Sequence, residues 1–405
     1  MGHHHHLRTP GVLVAAESTK EVGAERPEVA ALVIGAGAAG LAAAAMLGRE
    51  GVEAVVLERA NAVGASWRAR YDGLRLNSVR WISSLPGLRL DPGLGRFVRG
   101  GDFAAYLGSY AARHRIDVRH GVTVTRIDRE GRGWRVTTSE GPWRAGAVVV
   151  GTGYDQTPFM PDWPGRESFG GELVHAAGYR NAAPYVGREV LVAGSGSTGA
   201  ELALDLARGG ARRVLLSVRT PPNLFPRQWL GVPLQAFSLL NGGREGRGSL
   251  PPRFVDAVGR LAQRVIHRGR SERLLGRPPL GIATAAREHG RIPVFAEGLL
   301  EAVEAGRIEV VGGVEALDGD QVVSAGGRRL RPDAVIAATG YRQGLEGLLG
   351  HLGVLDVSGL PRTLGSEPAV PGLYTIGYRL PHLGRMPADA RGIARRIARR
   401  RRPPA

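Results

Sequence analysis

The sequence predicts an α/β fold made of two Rossmann-like dinucleotide-binding domains. Each carries a small β-meander, and the second domain is inserted into the first. Three observations predict this. Gly35-Ala36-Gly37-Ala38-Ala39-Gly40 follows the apolar run Val29–Ile34, and Gly194-Ser195-Gly196-Ser197-Thr198-Gly199 follows Glu189–Ala193. Both read as strand, tight turn and helix start. The first glycine makes the turn, the second lets the backbone approach a pyrophosphate, and the third lets helix and strand pack closely. The third observation is a repeated ending. The apolar strands Ala147–Val150 and Ala334–Ala338 run into Gly151-Thr152-Gly153-Tyr154 and Thr339-Gly340-Tyr341, so whole units repeat in order.

Along the chain, residues 1–28 comprise a His-rich tag and a polar, flexible N-terminus. Residues 29–165 form the first part of the first nucleotide domain. A helix spans Gly37–Gly51, and the strand Ala54–Leu57 ends on Glu58. A carboxylate there accepts ribose hydroxyls and repels a 2′-phosphate, so this site suits FAD or NAD. Arg59 is assigned to the same site. A meander follows over 114–150, with strands Asp117–Thr125, Trp134–Thr138 and Ala147–Val150. A stiff proline-rich connector, Pro158–Gly165, then crosses between domains.

Residues 166–330 form the second nucleotide domain. Its strand Arg213–Val218 ends in Arg219, not in an acid, and Ser217 lies near it. A guanidinium with a neighbouring hydroxyl suits a 2′-phosphate, which favours NADPH over NADH. Residues 221–300 form a largely helical insertion that walls a substrate pocket. The second meander holds Ile308–Val311 and Gln321–Ser324. Residues 331–400 return the chain to the first domain, through a strand near Gly377 and a final helix.

Composition narrows the function. The chain has 405 residues, no cysteine and a formal charge of +17. The missing thiols exclude disulfide-reductase chemistry and thiolate metal sites, and no metal site is expected. The charge is spread through an Arg-rich chain, so no nucleic-acid partner is expected. The dense run Arg391–Arg402 reads as the solvated end of a C-terminal helix. No apolar run nears the roughly 18 residues of a membrane span. Without a visible signal peptide, the expected compartment is cytoplasmic.

Phe169-Gly170-Gly171-Glu172-Leu173-Val174-His175-Ala176-Ala177-Gly178-Tyr179 resembles the Phe-x-Gly-x₃-His-x₃-Tyr pattern of class B flavin-containing monooxygenases. Related Baeyer–Villiger enzymes usually have Trp where this chain has Tyr179. The segment Gly64–Leu76, with Trp67 and Arg68, resembles the family's Gly-x-x-Trp-Arg stretch beside the flavin. Ser217-Val218-Arg219, Pro226-Arg227 and Gly290–Val294 resemble YUCCA-type stretches. Asn77 stands where YUCCA-type enzymes commonly have His.

The resemblance implies FAD in the first site and NADPH in the second. Its cofactor contacts fall on Gly35, Gly37, Gly40, Glu58, Arg59, Trp67, Arg68, Gly194, Gly196, Ser197, Thr198, Gly199, Ser217, Arg219, Thr339, Gly340 and Gly377. It implies a C4a-(hydro)peroxyflavin that inserts one oxygen atom of O₂ into a small or medium organic substrate, with N- or S-oxygenation favoured. Asn77 would support the oxygenated flavin, His175 would serve the interdomain NADPH region, and Arg219 would grip NADPH. The alternatives are oxygenation of a carbonyl substrate, Baeyer–Villiger or YUCCA-like, and an NAD(P)H oxidase or dehydrogenase. A homodimer is compatible with the family.

Overall fold

The computed structural model describes residues 28–234, 250–378 and 382–401. The expected flexible segment lies outside them, apart from Glu28. The first sheet contains β1 (Val29–Ile34), β2 (Ala54–Glu58), β3 (Asp117–His120), β4 (Val124–Glu130), β5 (Gly133–Thr138) and β6 (Trp143–Val150), in the order β3-β2-β1-β6-β5-β4. β1 runs parallel to β2 and β6, whereas β4, β5 and β6 form an antiparallel meander. β6 is long enough to serve two partners. Trp143–Ala145 pairs with β5, while Val148–Val150 pairs with the C-terminal strand Leu373–Thr375. The returning chain thus joins the sheet where the meander peels away.

The helix Ala38–Arg49 is buried along Ala38–Leu47. Its small side chains let it lie between the sheet and the C-terminal helix His382–Arg401. A helix that is apolar all round belongs inside.

Both sequence-based meanders need correction at their first strand. Asp117–Thr125 is not continuous, because Gly121 turns the chain at φ +72°. β3 pairs parallel to β2 as a Rossmann strand, and the meander starts only at Val124. Likewise, Glu309–Gly312 pairs parallel with the strand Arg213–Val218, at the edge of the second domain's sheet. The second meander is Val314–Asp318, Gln321–Ser324 and Arg328–Leu330.

The second sheet is parallel throughout. After the short strand β7 (Thr157–Pro158) come β8 (Glu172–His175), β9 (Glu189–Ala193) and β10 (Arg213–Val218). The order is Glu309–Gly312, β10, β9, Ala334–Ala337, β8. β7 pairs antiparallel with Tyr341–Arg342, which stitches the outgoing connector to the returning one. The described part of the 221–300 insertion includes helices Pro252–His267, Arg270–Leu275 and Ile282–His289. They do not wall the cavity at the first glycine turn. Of the described residues beyond 221 in this insertion, Ile292 lines it, and Arg227 reaches a lining residue.

Candidate functional site

The two glycine turns are near copies. Gly35 has φ +101° and Gly194 has φ +122°, values that L side chains rarely adopt. Gly35 packs on the carbonyl of Gly151, and Gly194 on that of Ala338. A Cβ at Gly40 or Gly199 would strike the carbonyl of the first glycine in its own turn. Gly37 and Gly196 differ: a Cβ on either meets nothing within 4 Å. The middle glycines therefore face open cradles at helix N-termini, where backbone N–H groups and the helix dipole favour an anion.

The first cradle opens into a depression that the second turn reaches only through Ser197 and Thr198. A cavity of about 700 Å³ is lined from the first domain by Gly35, Gly37, Glu58, Arg59, Trp67, Asn77 and Gly377, and from the second by Ser197, Thr198 and Glu201. Its volume falls within the usual range for cofactor and ligand pockets. Glu58 accepts the Ala36 N–H at 2.7 Å and the Ala60 N–H at 2.8 Å. Two bonds leave acceptor capacity on a carboxylate for ribose hydroxyls while they fix the turn. Ser197 Oγ is buried without a partner in the protein. An orphaned hydroxyl over an open cradle fits a phosphate oxygen. On these grounds the residues fit two dinucleotides.

Several expected residues sit elsewhere. Ser217 is buried, and its hydroxyl donates to the Gly312 carbonyl at 3.0 Å, so it is turned away from any 2′-phosphate. Arg219 is exposed just past the end of β10. The Arg68 side chain is exposed and does not line the cavity; Arg70 does, donating to Tyr341 Oη and Asp155. Thr339 and Gly340 follow the strand beside the second turn, not the shared cavity. Thr339 Oγ1 donates to the Phe159 carbonyl at 2.5 Å.

His175 is not free for proton transfer. Its Nδ1 accepts the Ala177 N–H at 3.0 Å, so Nε2 carries the proton toward the Gly340 carbonyl at 3.0 Å. Burial pushes its pKa down. Both nitrogens are committed to backbone atoms, which makes His175 a neutral brace between β8 and the Thr339-Gly340 corner. Tyr179, from the same motif, is buried and donates to Asp205 at 2.6 Å, tying the motif to helix Ser197–Arg208.

Asn77 is held by a constellation that no sequence motif announced. Tyr71 Oη donates to Glu201 Oε2 at 2.5 Å, Arg227 Nη2 donates to Glu201 Oε1, and Arg227 Nε donates to Asn77 Oδ1 at 3.3 Å. The side chains of Arg227 and Glu201 are 11 % and 13 % exposed, so this is a buried ion pair. Tyr71 and Asn77 come from the first domain, Glu201 and Arg227 from the second. Burial raises the Glu201 carboxyl above its ordinary range, against the pull of Arg227 and Tyr71. Burial, reinforced by Glu201, pushes the Tyr71 phenol up as well. A guanidinium only donates, so the Asn77 oxygen faces Arg227 and its N–H₂ is left for the cavity. The one sequence hint was Arg227 in Pro226-Arg227. Glu201 lies just past the second glycine turn, but its partner Tyr71 is 130 residues away.

Known proteins share this chain's sequence and fold. Residues 32–228 match the family described as pyridine nucleotide-disulphide oxidoreductase. The indole-3-pyruvate monooxygenase YUCCA1 of Oryza sativa subsp. japonica is 33 % identical over 377 residues, covering 91 % of each chain. The chain belongs to the flavin-dependent monooxygenases. A probable indole-3-pyruvate monooxygenase, YUCCA3 of Arabidopsis thaliana, is 32 % identical over 383 residues, covering 91 % of this chain and 86 % of that one. Among solved structures, the flavin-containing monooxygenase from Stenotrophomonas maltophilia superimposes with a TM-score of 0.67 at 24 % identity, over 93 % of this chain and 99 % of that one. Cyclohexanone monooxygenase from Rhodococcus sp. Phi1 bound to NADP⁺ gives 0.67 at 20 % identity, over 92 % and 85 %. These two likenesses concern the fold. The enzyme is a flavin monooxygenase, and with no cysteine it cannot run the thiol chemistry in the matched family's description. Among the described residues, no cluster suited to a metal and no membrane-spanning helix occurs.

Proposed function

We propose that this monooxygenase holds FAD in the first cradle and NADPH in the second, and oxygenates nitrogen or sulfur in a small or medium organic substrate. The overall reaction consumes O₂, NADPH and a proton, and yields oxygenated substrate, water and NADP⁺. The observation that carries the reading is the fixed amide of Asn77. The Arg227 guanidinium takes its oxygen, so its N–H₂ is a preset donor on the cavity wall. Preorganised donors in a site shielded from water stabilise developing negative charge on oxygen.

The remaining roles follow from the same geometry. The turns at Gly35–Gly40 and Gly194–Gly199 would hold the pyrophosphates, and Glu58 the FAD ribose. Arg219 alone carries the preference for a 2′-phosphate, since Ser217 is turned inward. A bound flavin, reduced by the nicotinamide, supplies the electrons that activate O₂. Arg227 and Glu201 hold Asn77 in register, and the domains enclose the cavity on two sides.

A second reading has support of its own. The relatives named as indole-3-pyruvate monooxygenases align over nine-tenths of the chain, which favours oxygenation of a 2-oxo acid. Asn77 in place of the usual His weighs against it. The deciding experiment is NADPH oxidation coupled to product analysis, with a tertiary amine, a thioether and an aryl 2-oxo acid in parallel. Coupled oxide formation from the amine or thioether supports the first reading. Coupled decarboxylation of the oxo acid alone replaces it with the second. Stoichiometric peroxide with all three would make the protein an oxidase.

A further inference from the structure

The helix Pro252–His267 is inside out. Phe254, Val258, Leu261 and Val265 recur at spacings of four, three and four, a stripe along one side. They are 54 %, 50 %, 64 % and 55 % exposed. The polar residues of the same helix point inward and are satisfied there. Asp256 accepts the Ala283 N–H at 2.7 Å and the Thr284 N–H at 3.3 Å, capping the helix Ile282–His289. Gln263 donates to Ser271 Oγ at 3.3 Å, and His267 Nε2 lies 3.0 Å from the Leu224 carbonyl. Gly259 faces Ile282 so closely that a Cβ would lie 2.8 Å from its Cδ1. Rotating the helix to hide its stripe would break all of these contacts, so the outward stripe is a built feature.

Charge identifies the occupant. Arg253, Arg264 and Arg268 are exposed along one edge of the stripe, and Arg264 is paired with Glu272 at 3.0 Å, which leaves Arg253 and Arg268 to meet an outside anion. The helix has a single acid, Asp256, and it is buried. A second copy docking through this face would bring Arg253 and Arg268 together with no acid from either helix to receive them. An anionic lipid surface offers acyl chains to the stripe and phosphates to the arginines, the arrangement of interfacial amphipathic helices. We propose that this face docks the enzyme on anionic membrane surfaces, with helix Pro252–His267 lying in the interface plane and no segment crossing.

The test is co-sedimentation of the full-length FAD-loaded enzyme with vesicles of phosphatidylglycerol and phosphatidylcholine, against phosphatidylcholine alone. Each unpaired arginine near an anionic surface is worth about fivefold in binding, so Arg253 and Arg268 predict a preference of roughly 25-fold. Val258→Glu/Leu261→Glu is expected to abolish sedimentation and leave the melting temperature and NADPH oxidation unchanged. Arg253→Gln/Arg268→Gln is expected to weaken it more than tenfold. Absence of sedimentation with anionic vesicles would overturn the proposal. So would binding that survives Val258→Glu/Leu261→Glu, because the Arg-rich C-terminal helix would then be responsible. A dimer that this variant splits in sedimentation equilibrium would reassign the face to a second copy. A large loss of melting temperature in the variant would reassign it to the chain's own core.

Discussion

Replacing Arg227 by Met leaves Glu201 buried and facing only Tyr71. Removing one partner of a buried ion pair costs about 3–5 kcal/mol. A second route bounds the cost. The stranded carboxylate can escape by taking a proton, which from its ordinary pKa of 4.5 costs about 3.4 kcal/mol at pH 7, at about 1.36 kcal/mol per unit. The two figures agree near the lower end, so about 3 kcal/mol is expected. With an unfolding entropy of about 0.8 kcal/mol/K for a chain of this size, the melting temperature should fall by about 4 °C. Because protonation caps the cost, the deficit should grow by up to about 1.4 kcal/mol per pH unit as pH rises from 6 to 8. Adding Glu201→Gln removes the stranded charge while keeping an acceptor for Tyr71, so stability should return to within about 1–2 kcal/mol of the parent. Coupling should not return, because Asn77 still lacks the guanidinium that orients its amide. The assays are calorimetry across pH, and the fraction of NADPH oxidised that appears as oxygenated product. A shift below 1 °C would refute the buried pair. Recovery of both stability and coupling in the double variant would refute the orienting role given to Arg227.

Three more outcomes follow from the geometry. Gly37→Val should fold normally but bind little flavin, because its side chain fills the open cradle, whereas Gly40→Ala should fail to fold because its Cβ meets the Gly35 carbonyl; flavin absorbance per protein and circular dichroism separate the two. Arg219→Ala should raise KM for NADPH about 10- to 100-fold, the worth of a lost charged hydrogen bond, and leave KM for NADH unchanged; equal effects on both would place the 2′-phosphate elsewhere. His114, His175 and His267 all have pKa values lowered by burial, so each stays neutral in the fold at a pH where the unfolded chain protonates it. The stability they contribute is complete above 6.5 and is lost as pH falls through their folded values. Melting temperature should therefore decline on acidification below neutrality, with a shallower slope in His267→Gln.

The sequence alone determined the features whose causes are local. A positive φ, a close backbone approach and a helix start need particular residues at fixed short spacings, so both glycine turns, Glu58 and the β-turn-helix order were legible. The Ala-rich first helix was legible too, since only small side chains suit a helix packed on both sides. Local reading failed where a partner is distant. Asp117–His120 and Glu309–Gly312 look like hairpin strands until parallel pairing claims them, and a strand's own residues do not name its neighbour. Ser217 and Arg219 look alike in position, yet β10 ends at Val218. Ser217 is therefore sealed against Gly312 while Arg219 emerges. The motif histidine could be placed near the NADPH region but not given a role, because sequence does not reveal where its two nitrogens go. The periodicity of Phe254–Val265 marks a helix with one apolar face, but whether that face is inside depends on Asp256, Gln263 and His267 finding partners on other segments. The Tyr71–Glu201–Arg227–Asn77 constellation is the clearest case. Its hydrogen bonds join residues up to 150 positions apart across two domains, and only the docking of those domains brings the ion pair out of water and turns the Asn77 amide toward the cavity.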